Sequence, residues 1–374
     1  MRIETSDFDL HGIVGIRLLN ATPGDIAAVK KQLGPIEKPL SRTPDIVIRF
    51  VDRMVFSSPV RYLGVDDAGF TEDAFLVFRG QYKRRVRVQI PFEQIGSEQC
   101  LIVCESGSGP VPLLIAILNL TALSRGALPL HASALRYNGK GILVTGWAKG
   151  GKTETLLAFV ANGAEYIGDE WVYLSSDGQR MYGIPEPTRI WYWHLQEMKH
   201  YQAMVGRGDL LRMKTLDAAV KGMEWLESSR LGGGSAPGRL VGRLKGIVKQ
   251  QLNVQLPPEK LFGRKPGDGT VRPEKIFWVA SHAEPNVSVE KIDPQEVAKR
   301  MVFSLQEERM GFLSYYWKYR FAFPDCSNEL IEQAEEIQRS MLLQILADKE
   351  AYVVYHPYPF SIPALFEEIR PYCA

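Results

Sequence analysis

Short apolar runs and apolar–polar alternation dominate the sequence and predict a mixture of strands and helices. In the first third, apolar and polar residues alternate as they do in half-buried strands. We predict strands at residues 45–50, 61–64, 75–78 and 85–90. Thr22 before Pro23 predicts the start of a helix that ends near Leu33. Residues 111–124 have helical periodicity, so residues 1–125 are predicted to form a small α+β domain that ends on a helix packed toward the core.

Beyond residue 125, longer apolar runs predict the strands of a second unit. These runs occupy residues 128–135, 141–144, 171–174, 275–279 and 351–355. Asn138-Gly139 between the first two runs is typical of a tight β-hairpin, and Asp177-Gly178 predicts another turn. Helices are predicted to start at Asp293 and to cover residues 329–347. Residues 126–374 are therefore predicted to form an α/β core.

Residues 194–272 depart from this pattern and are predicted to be a helical, basic insertion. Amphipathic spacing predicts helices over 191–205 and 210–226, and the glycine-rich segment 232–238 predicts a flexible break. The basic run around this break comprises Arg230, Arg239, Arg243, Lys245, Lys249, Lys260, Arg264 and Lys265. Such a run is usually a solvated face; the alternative is a mobile cationic lid or a cradle for an acidic substrate.

Composition and charge exclude some classes of protein. The chain has 374 residues, of which 45% are hydrophobic and 24% charged, as in an ordinary globular protein. The net charge of +2 gives no global field that favours a nucleic-acid or membrane partner. The longest apolar run, 111–120, is too short to span a bilayer of roughly 30 Å. The N-terminus has no apolar signal segment, so we expect a cytoplasmic protein without nucleic-acid or membrane partners.

Cysteine, histidine and local basic residues give weaker signals. Lys83, Arg84, Arg85 and Arg87 form a basic patch, which is interpreted as a solvated strand face or, second, as an anion-binding surface. The cysteines lack the paired spacing of a zinc site and are predicted to be reduced thiols in the core: Cys100, Cys104, Cys326 and Cys373. No acidic or thiol neighbour at ligand spacing accompanies three histidines, so we expect no metal site on His194, His200 or His282.

The strongest signal is the segment from Gly146 to Thr153, GWAKGGKT, which matches the phosphate-binding loop pattern G-x-x-x-x-G-K-[ST] at every fixed position. An apolar strand precedes it and a helix-forming run, 154–159, follows. Small residues let backbone N–H groups surround phosphate oxygens, and the helix directs its positive end at them. A nucleoside triphosphate site is predicted, with a structural glycine turn as the alternative.

Within this loop, individual side chains have distinct predicted roles. Lys152 is expected to face solvent and to neutralise the β- and γ-phosphates, and the Thr153 hydroxyl is expected to hold Mg²⁺. The nucleotide-binding residues predicted from the loop are Gly146, Lys149, Gly150, Gly151, Lys152 and Thr153.

Four further positions complete the candidate site. Asp169 and Glu170, adjacent on an apolar strand soon after the loop, suit a metal-holding carboxylate and a neighbouring base; the alternative is a solvated strand end. The Asn138-Gly139 hairpin would bring His131 beside the loop, although a lone histidine on an apolar strand is more often a core residue. Arg189 has no obvious partner except this site and is a candidate substrate-binding residue.

Taken together, His131-Ala-Ser133, the loop 146–153, Glu154-Thr155 and the pair Asp169-Glu170 resemble the catalytic domain of HPr kinase/phosphorylase. The resemblance extends to kinase-like enzymes of bacterial peptide-tailoring clusters, such as lasso-peptide tail kinases. The family's K-S-E-T is KTET here, at 152–155. The resemblance to this family covers residues 126–190 well, and residues 275–303 and 351–370 weakly. It implies a fold akin to phosphoenolpyruvate carboxykinase, with a phosphate-loop core of mixed sheet flanked by helices.

The resemblance also implies roles for residues of this site. It implies His131 near the transferred phosphate, Glu154 as a magnesium ligand beside Thr153 and Asp169, and the acidic pair as the base for the acceptor hydroxyl. It adds Thr155 to the nucleotide-binding residues and implies a homo-oligomer. The family's double aspartate is Asp-Glu here, and its serine is threonine. A counterpart of its glycine-rich signature is not evident, so phosphorylase activity is not expected, and the insertion argues against HPr as acceptor.

We therefore predict a kinase that uses ATP and Mg²⁺ to phosphorylate an alcohol, either a serine of a peptide or protein or a small-molecule hydroxyl. Asp169 or Glu170, His131 and Lys152 are the predicted catalytic residues. The competing hypothesis is a nucleotide-binding switch or ATPase that acts through a protein partner. A carboxykinase-like enzyme would need further histidine and lysine metal ligands, which the sequence does not reveal.

Overall fold

A computed structural model describes residues 3–65, 67–79, 85–228, 236–263 and 269–373. Several sequence predictions lie wholly or partly outside these residues. They are the glycine-rich break at 232–238 and the basic residues Lys83, Arg84, Arg230, Arg264 and Lys265. The described residues form mixed α/β structure with two large sheets flanked by helices.

The first sheet contains eight strands from the described part of residues 3–105, in the order β1-β2-β3-β8-β7-β6-β5-β4. They are β1 (Ile3–Leu10), β2 (Val14–Ala21), β3 (Ile46–Val51), β4 (Arg61–Leu63), β5 (Ala68–Phe70), β6 (Phe75–Arg79), β7 (Arg85–Gln89) and β8 (Cys100–Glu105). Strands β3, β4, β6 and β7 were predicted. The other four pair with them in the same sheet.

Two helices accompany this sheet, α1 (Pro23–Leu33) and α2 (Leu114–Ser124). The predicted start of α1 is confirmed, because the backbone N–H of Asp25 donates to Thr22 and the N–H of Thr22 donates to the Asp25 carboxylate. This reciprocal cap satisfies two N–H groups that the helix itself leaves unpaired. Helix α2 is apolar on most sides and packs on both the first and the second sheet.

The second sheet is mixed and carries the phosphate loop. Its strands are β9 (Ala127–Tyr137), β10 (Lys140–Gly146), β11 (Glu165–Gly168), β12 (Trp171–Ser175), β13 (Met181–Gly183), β16 (Pro273–Ser281), β17 (Ser288–Lys291) and β18 (Glu350–His356). The order is β13-β12-β9-β10-β16-β18-β17, and β11 also pairs with β9. Strands β10, β16 and β18 run parallel, so their carboxyl ends meet at one edge. The predicted hairpins β9–β10 and β12–β13 are confirmed.

The remaining elements are eight helices and a short two-stranded sheet within the described ranges. The helices are α3 (Lys152–Ala161), α4 (Tyr192–Glu197), α5 (Arg207–Ser228), α6 (Ala236–Gln250), α7 (Pro258–Phe262), α8 (Pro294–Ala322), α9 (Glu329–Leu346) and α10 (Ile362–Ile369). The strands are β14 (Thr188–Trp191) and β15 (Asn253–Leu256). Short 3₁₀ turns occupy Phe92–Gln94, Lys199–Met204 and Arg370–Cys373.

Alternation along the central strands of the second sheet places apolar side chains on both of its faces. Leu143 and Ile276 face a core shared with α2, α8, α9 and the first sheet. Ile142, Val144 and Phe277 face a separate core formed with α3 and α10. The strand that leads to the phosphate loop is therefore buried between two helical layers, which holds the loop at a fixed position at the sheet edge.

The acidic pair lies in a turn rather than on a strand, so the predicted single strand through it is wrong. β11 pairs with the outer half of β9, whereas β12 pairs with its first half, opposite His131. Asp169 and Glu170 connect the two, and the Trp171 N–H donates to the Asp169 carbonyl across Glu170, whose φ is +64°. Such a reversal is a strained backbone conformation for a non-glycine residue.

The insertion is less helical than predicted. Residues 191–205 form a six-residue helix and a 3₁₀ turn, because the backbone leaves the helical region at Met198. Helix α5 matches the second prediction, and β15 was not predicted because four residues give too little periodicity. Lys245 and Lys249 of α6 pair with Glu227 and Glu224 of α5, so the facing helix neutralises part of the basic run.

Two further sequence predictions concern thiols and membranes. Cys100, Cys104 and Cys373 are buried free thiols as predicted, whereas Cys326 is exposed. Burial raises the pKa of each of the three buried thiols to about 12, which keeps them protonated and unreactive. Among the described residues, no helix is long and apolar enough to cross a membrane.

Candidate functional site

The loop between β10 and α3 has the backbone conformation that its glycines allow. Gly146 has a φ of +154°, and a Cβ there would lie 2.4 Å from the Val279 carbonyl oxygen of β16. Gly151 has a φ of +103°, and a Cβ there would lie 2.8 Å from His356 Nε2 of β18. Val279 lies on β16 beside β10, and His356 lies on β18, the next parallel strand, so close packing against the sheet requires glycine at both ends of the loop. Trp147 and Lys149 are exposed on its outer side.

Lys152 is buried, which corrects the expectation that it faces solvent. It is the first residue of α3, only 6% of its surface is exposed, and its ammonium donates to the carbonyls of Gly146 (3.4 Å) and Trp147 (3.0 Å). Burial lowers the pKa of Lys152, while the carboxylates of four nearby acidic residues oppose that change: Glu170, Asp169, Glu308 and Glu154. The ammonium is thus held against the inner surface of the loop, surrounded by negative charge.

Asp169 links the phosphate loop to β9. Its Oδ1 accepts a hydrogen bond from Ser133 Oγ at 2.5 Å, and both carboxylate oxygens lie 3.2 Å from Thr153 Oγ1. Only 2% of Asp169 is exposed. Burial and the neighbouring charge of Glu170 raise the pKa of Asp169 to about 7, although the two hydroxyl contacts act in the opposite direction. Sequence analysis predicted this proximity of Thr153 and Asp169, and Ser133 is the contact that it quoted without assigning a role.

Glu170 belongs to a second group of charges around His131. His131 Nε2 donates to Glu170 Oε2 at 3.2 Å, and its Nδ1 lies 2.5 Å from Glu308 Oε1 of α8. The His131 ring also stacks on Trp171, with centroids 5.7 Å apart. Burial alone would lower the pKa of His131, but the two carboxylates raise it above its ordinary value. The contact with His131 in turn holds the pKa of Glu170 below its usual range. The Glu170 side chain remains 46% exposed.

Glu154 has a partner that sequence spacing did not reveal. His194 Nε2 of α4 donates to Glu154 Oε1 at 3.0 Å, and His194 is almost fully buried. Sequence spacing gives His194 no acidic neighbour, but residues 40 positions apart meet when α4 folds over α3. Burial would raise the pKa of Glu154, but the His194 contact lowers it and keeps the carboxylate ionised.

His356 contacts the phosphate loop from the end of β18. It is the last residue of β18, and its Nε2 donates to the Gly150 carbonyl at 2.8 Å. Thr155, predicted to bind nucleotide, is fully buried and donates to the Gly151 carbonyl at 2.8 Å, so its hydroxyl stabilises the junction of loop and helix. These two contacts fix the carbonyl groups of Gly150 and Gly151 in the loop.

The donor set of the loop fits a magnesium ion. Thr153 supplies a hydroxyl and Asp169 a carboxylate, which are hard oxygen ligands within 3.2 Å of each other. Among the described residues there is no cluster of three or more His, Cys, Asp or Glu side chains placed to hold a metal. Magnesium retains waters and takes further oxygens from substrate phosphates, so one or two protein oxygens are a sufficient donor set for it. Glu154, the third predicted ligand, is instead bonded to His194.

Arg189 lies at the rim of this site. Its side chain is exposed on β14, and its positive charge contributes to the lowered pKa of Glu170. Nearby, Glu186 has a deeply buried Oε1 without a hydrogen-bond partner in the described structure, and burial raises the pKa of this carboxyl well above its ordinary value. Arg189 is an exposed cation at this edge of the site.

Three residues of the site escaped sequence reasoning: His194, Glu308 and His356. Each comes from an element far along the chain, and each contacts a predicted residue. The only local signal was the position of His356 at the end of an apolar strand, because carboxyl ends of parallel strands commonly form ligand sites. His194 and Glu308 lie on helices, where a polar residue facing the core cannot be distinguished from one facing solvent without the fold.

A scan against protein-family models found no match to this sequence, and a search of curated proteins found no relative.

Proposed function

We propose that this protein is a kinase that transfers the γ-phosphoryl group of ATP to the hydroxyl of an acceptor alcohol, in the presence of Mg²⁺. The observation that carries the proposal is the pairing of Thr153, in the phosphate loop, with Asp169 at 3.2 Å. A passive glycine turn has no need of a buried carboxylate with a raised pKa against its hydroxyl. Perturbed carboxylates of this kind concentrate at functional sites.

The nucleotide end of the site follows from the loop. The N–H groups of residues 146–151 and the N-terminus of α3 would surround the β- and γ-phosphates, which helix N-termini favour. Lys152 would release the loop carbonyls that it now contacts and bind the phosphate oxygens instead. Thr153 and Asp169 would hold Mg²⁺, which neutralises charge that develops on the phosphate oxygens when it is bound.

The acceptor end would be formed by Glu170, His131 and Glu308. The acceptor oxygen would form the new bond to the γ-phosphorus while the bond from that phosphorus to the ADP oxygen breaks. Glu170, ionised and half-exposed, would take the hydroxyl proton. His131, whose pKa the two glutamates raise, would stabilise the negative charge of the transferring group in its protonated form. Asp169, buried against the loop, is assigned to the metal rather than to the proton.

The division between the two carboxylates can be tested directly. Purified protein, Mg²⁺-ATP and a panel of alcohols and serine peptides would be incubated and analysed by mass spectrometry for a product heavier by one phosphoryl group. With an acceptor in hand, Asp169→Asn should raise the Mg²⁺ concentration needed for half-maximal turnover. Glu170→Gln should lower maximal turnover about 100-fold or more without changing that requirement.

The outcomes separate the proposal from its competitor. Release of ADP only in the presence of an alcohol, with a phosphorylated product, supports the kinase. Slow hydrolysis that no alcohol stimulates, with ATP bound tightly, would instead favour a nucleotide switch. The matched control is Asp177→Asn, in the exposed β12–β13 turn, which should leave turnover and Mg²⁺ dependence unchanged.

A further inference from the structure

A cavity of about 310 Å³ lies beside the charged group around His131. Helix α2, helix α8 and the β9–β12 region form its walls, which are mainly apolar and include Leu120, Leu305 and Phe312. Trp171 and Glu308 also line it, and both contact His131 on their other side. Its volume is within the range of small-molecule sites, at the lower end. The cavity therefore adjoins the candidate acceptor site without belonging to the phosphate loop.

One cation in the cavity wall is deeply buried. Arg309 of α8 is only 9% exposed, and its Nη2 donates to Gln338 Oε1 of α9. In the described ranges no carboxylate lies within ion-pair distance of its guanidinium; Glu335 acts on it only at longer range. Burial lowers the pKa of Arg309, which shows the cost of placing this charge away from water. A buried cation is normally paired, so its position on a cavity points to an anion supplied from outside the chain.

A second polar group of the cavity wall can still donate hydrogen bonds. Asn119 of α2 is 8% exposed, and its Oδ1 accepts a hydrogen bond from Tyr173 Oη at 2.5 Å. An amide has two further N–H donors, and within the described part of the chain they have no partner. The wall thus presents donors from Arg309 and Asn119, and the single carboxylate on it, Glu308, already contacts His131. This pattern fits an anionic oxygen ligand better than a neutral or cationic one.

We infer that the cavity binds the acceptor of the proposed kinase, and that this acceptor is a small hydroxy acid: an alcohol with an apolar body and a carboxylate that pairs with Arg309. Guanidinium and carboxylate match in two parallel hydrogen bonds. The apolar body fills the space between α2 and α8, and the hydroxyl lies toward Glu308 and His131. A serine inside a peptide has no free carboxylate, so the inference favours a small molecule over a protein as acceptor.

The assignment of this ligand as acceptor rests on the proposed function, whereas its binding does not. Binding would be measured by calorimetry with a series of ω-hydroxy acids (6-hydroxyhexanoate, 8-hydroxyoctanoate and 10-hydroxydecanoate). Diols of equal length are the neutral controls. At least one acid should bind about ten-fold or more tightly than its diol, because only the acid offers a carboxylate to the Arg309 guanidinium. Arg309→Met should abolish that preference, and Arg309→Lys should restore part of it.

Matched variants locate the effect. Arg300→Met, on the same helix, removes a cation that stacks on Trp278 outside the cavity, and it should leave binding unchanged. Ala116→Phe fills the cavity and should abolish binding of acids and diols alike, with thermal melting as the check that each variant folds. Equal affinity for acid and diol, no binding by any acid of the series, or binding that Ala116→Phe leaves intact would overturn the inference.

Turnover with Mg²⁺-ATP distinguishes this inference from the proposed function. An acid that binds through Arg309 but yields no phosphorylated product would leave the cavity assignment standing and refute the kinase. Phosphorylation of alcohols regardless of their carboxylate, unchanged by Arg309→Met, would support the kinase and refute the hydroxy-acid site. A phosphorylated hydroxy acid whose formation depends on Arg309 supports both.

Discussion

Replacement of Asp169 by asparagine should lower activity and raise stability. The carboxylate is 2% exposed, and burial together with Glu170 raises its pKa to about 7 from an ordinary value of 3.8. Asparagine has the same size and keeps an oxygen for the hydroxyls of Ser133 and Thr153. It cannot ionise, so the folded protein no longer holds a buried negative charge. Functional sites often reduce stability in this way.

The sign and size of the effect follow from proton binding. Between pH 3.8 and about 7 the folded state keeps a proton on Asp169 that the unfolded state has lost, so the stability of the unmodified protein falls as pH rises through this window. The advantage of Asp169→Asn therefore grows from about pH 4 to about pH 7 and is constant above it. One pKa unit corresponds to about 1.4 kcal/mol, which sets an upper limit of ~4 kcal/mol. We expect about 1–2 kcal/mol, because a buried amide also has a desolvation cost.

Urea unfolding between pH 5 and pH 8.5, with EDTA and without nucleotide, measures this difference. At a limiting Mg²⁺ concentration, turnover of the same variant with ATP should fall about 100-fold or more, because the variant holds the metal less tightly. Asp177→Asn is a control whose change in stability should have the opposite sign. The Ser175 hydroxyl lowers the pKa of Asp177, so this variant should lose a little stability above pH 4. It should keep full turnover. A stability difference that is the same at every pH, or an Asp169→Asn protein that is less stable at pH 8.5, would refute the reasoning.

Three further substitutions probe the loop and its supports. Lys152→Ala should lower turnover about 100-fold or more while the protein still folds, measured as ADP release beside a thermal melt. Gly151→Ala should abolish nucleotide binding, measured with a fluorescent ATP analogue, because its Cβ would lie 2.8 Å from His356 Nε2 at a φ of +103°. His194→Leu leaves the buried Glu154 carboxylate without its hydrogen bond, so the free energy of unfolding should fall by about 1–3 kcal/mol.

Matched controls separate these effects from general damage. Lys149→Ala removes an exposed loop cation and should change turnover far less than Lys152→Ala. Gly139→Ala changes a glycine with a φ of +79° that has no atom within 4 Å of its Cβ, so nucleotide binding should survive. His200→Leu, in the 3₁₀ turn after α4, should leave stability near that of the unmodified protein. Equal losses in a variant and its control would count against the assigned contact.

Several elements of the fold could be predicted from short segments of this sequence. The strand, loop and helix from Lys140 to Ala161 were predicted because one short segment contains all the information: an apolar run, small residues at the turn and a helix-forming run. The α1 cap and the β9–β10 hairpin were predicted for the same reason. Where residue type determines backbone conformation directly, periodicity and turn chemistry are enough to predict the element.

The site beyond the loop could not be predicted in the same way. Apolar residues flank Asp169 and Glu170 on both sides, and local periodicity does not distinguish one strand through this pair from a turn at Glu170 between two strands of the same sheet. The burial of Lys152 depends on carbonyls of its own loop and on carboxylates of other elements, which a spacing rule does not include. Tertiary packing decides such features, and one sequence alone does not record it.

The balance of charge around Lys152 predicts how the affinity for ATP depends on Mg²⁺. Four carboxylates, those of Glu170, Asp169, Glu308 and Glu154, act on this one ammonium. His131 and His194 contact three of these glutamates and hold them in place. The polyanionic ATP would meet a site with excess negative charge, so its affinity should depend steeply on Mg²⁺, which supplies the missing positive charge beside Thr153. Titration of a fluorescent ATP analogue with and without EDTA measures this dependence, and equal affinity in both would show that the loop binds phosphates by its backbone and Lys152 alone.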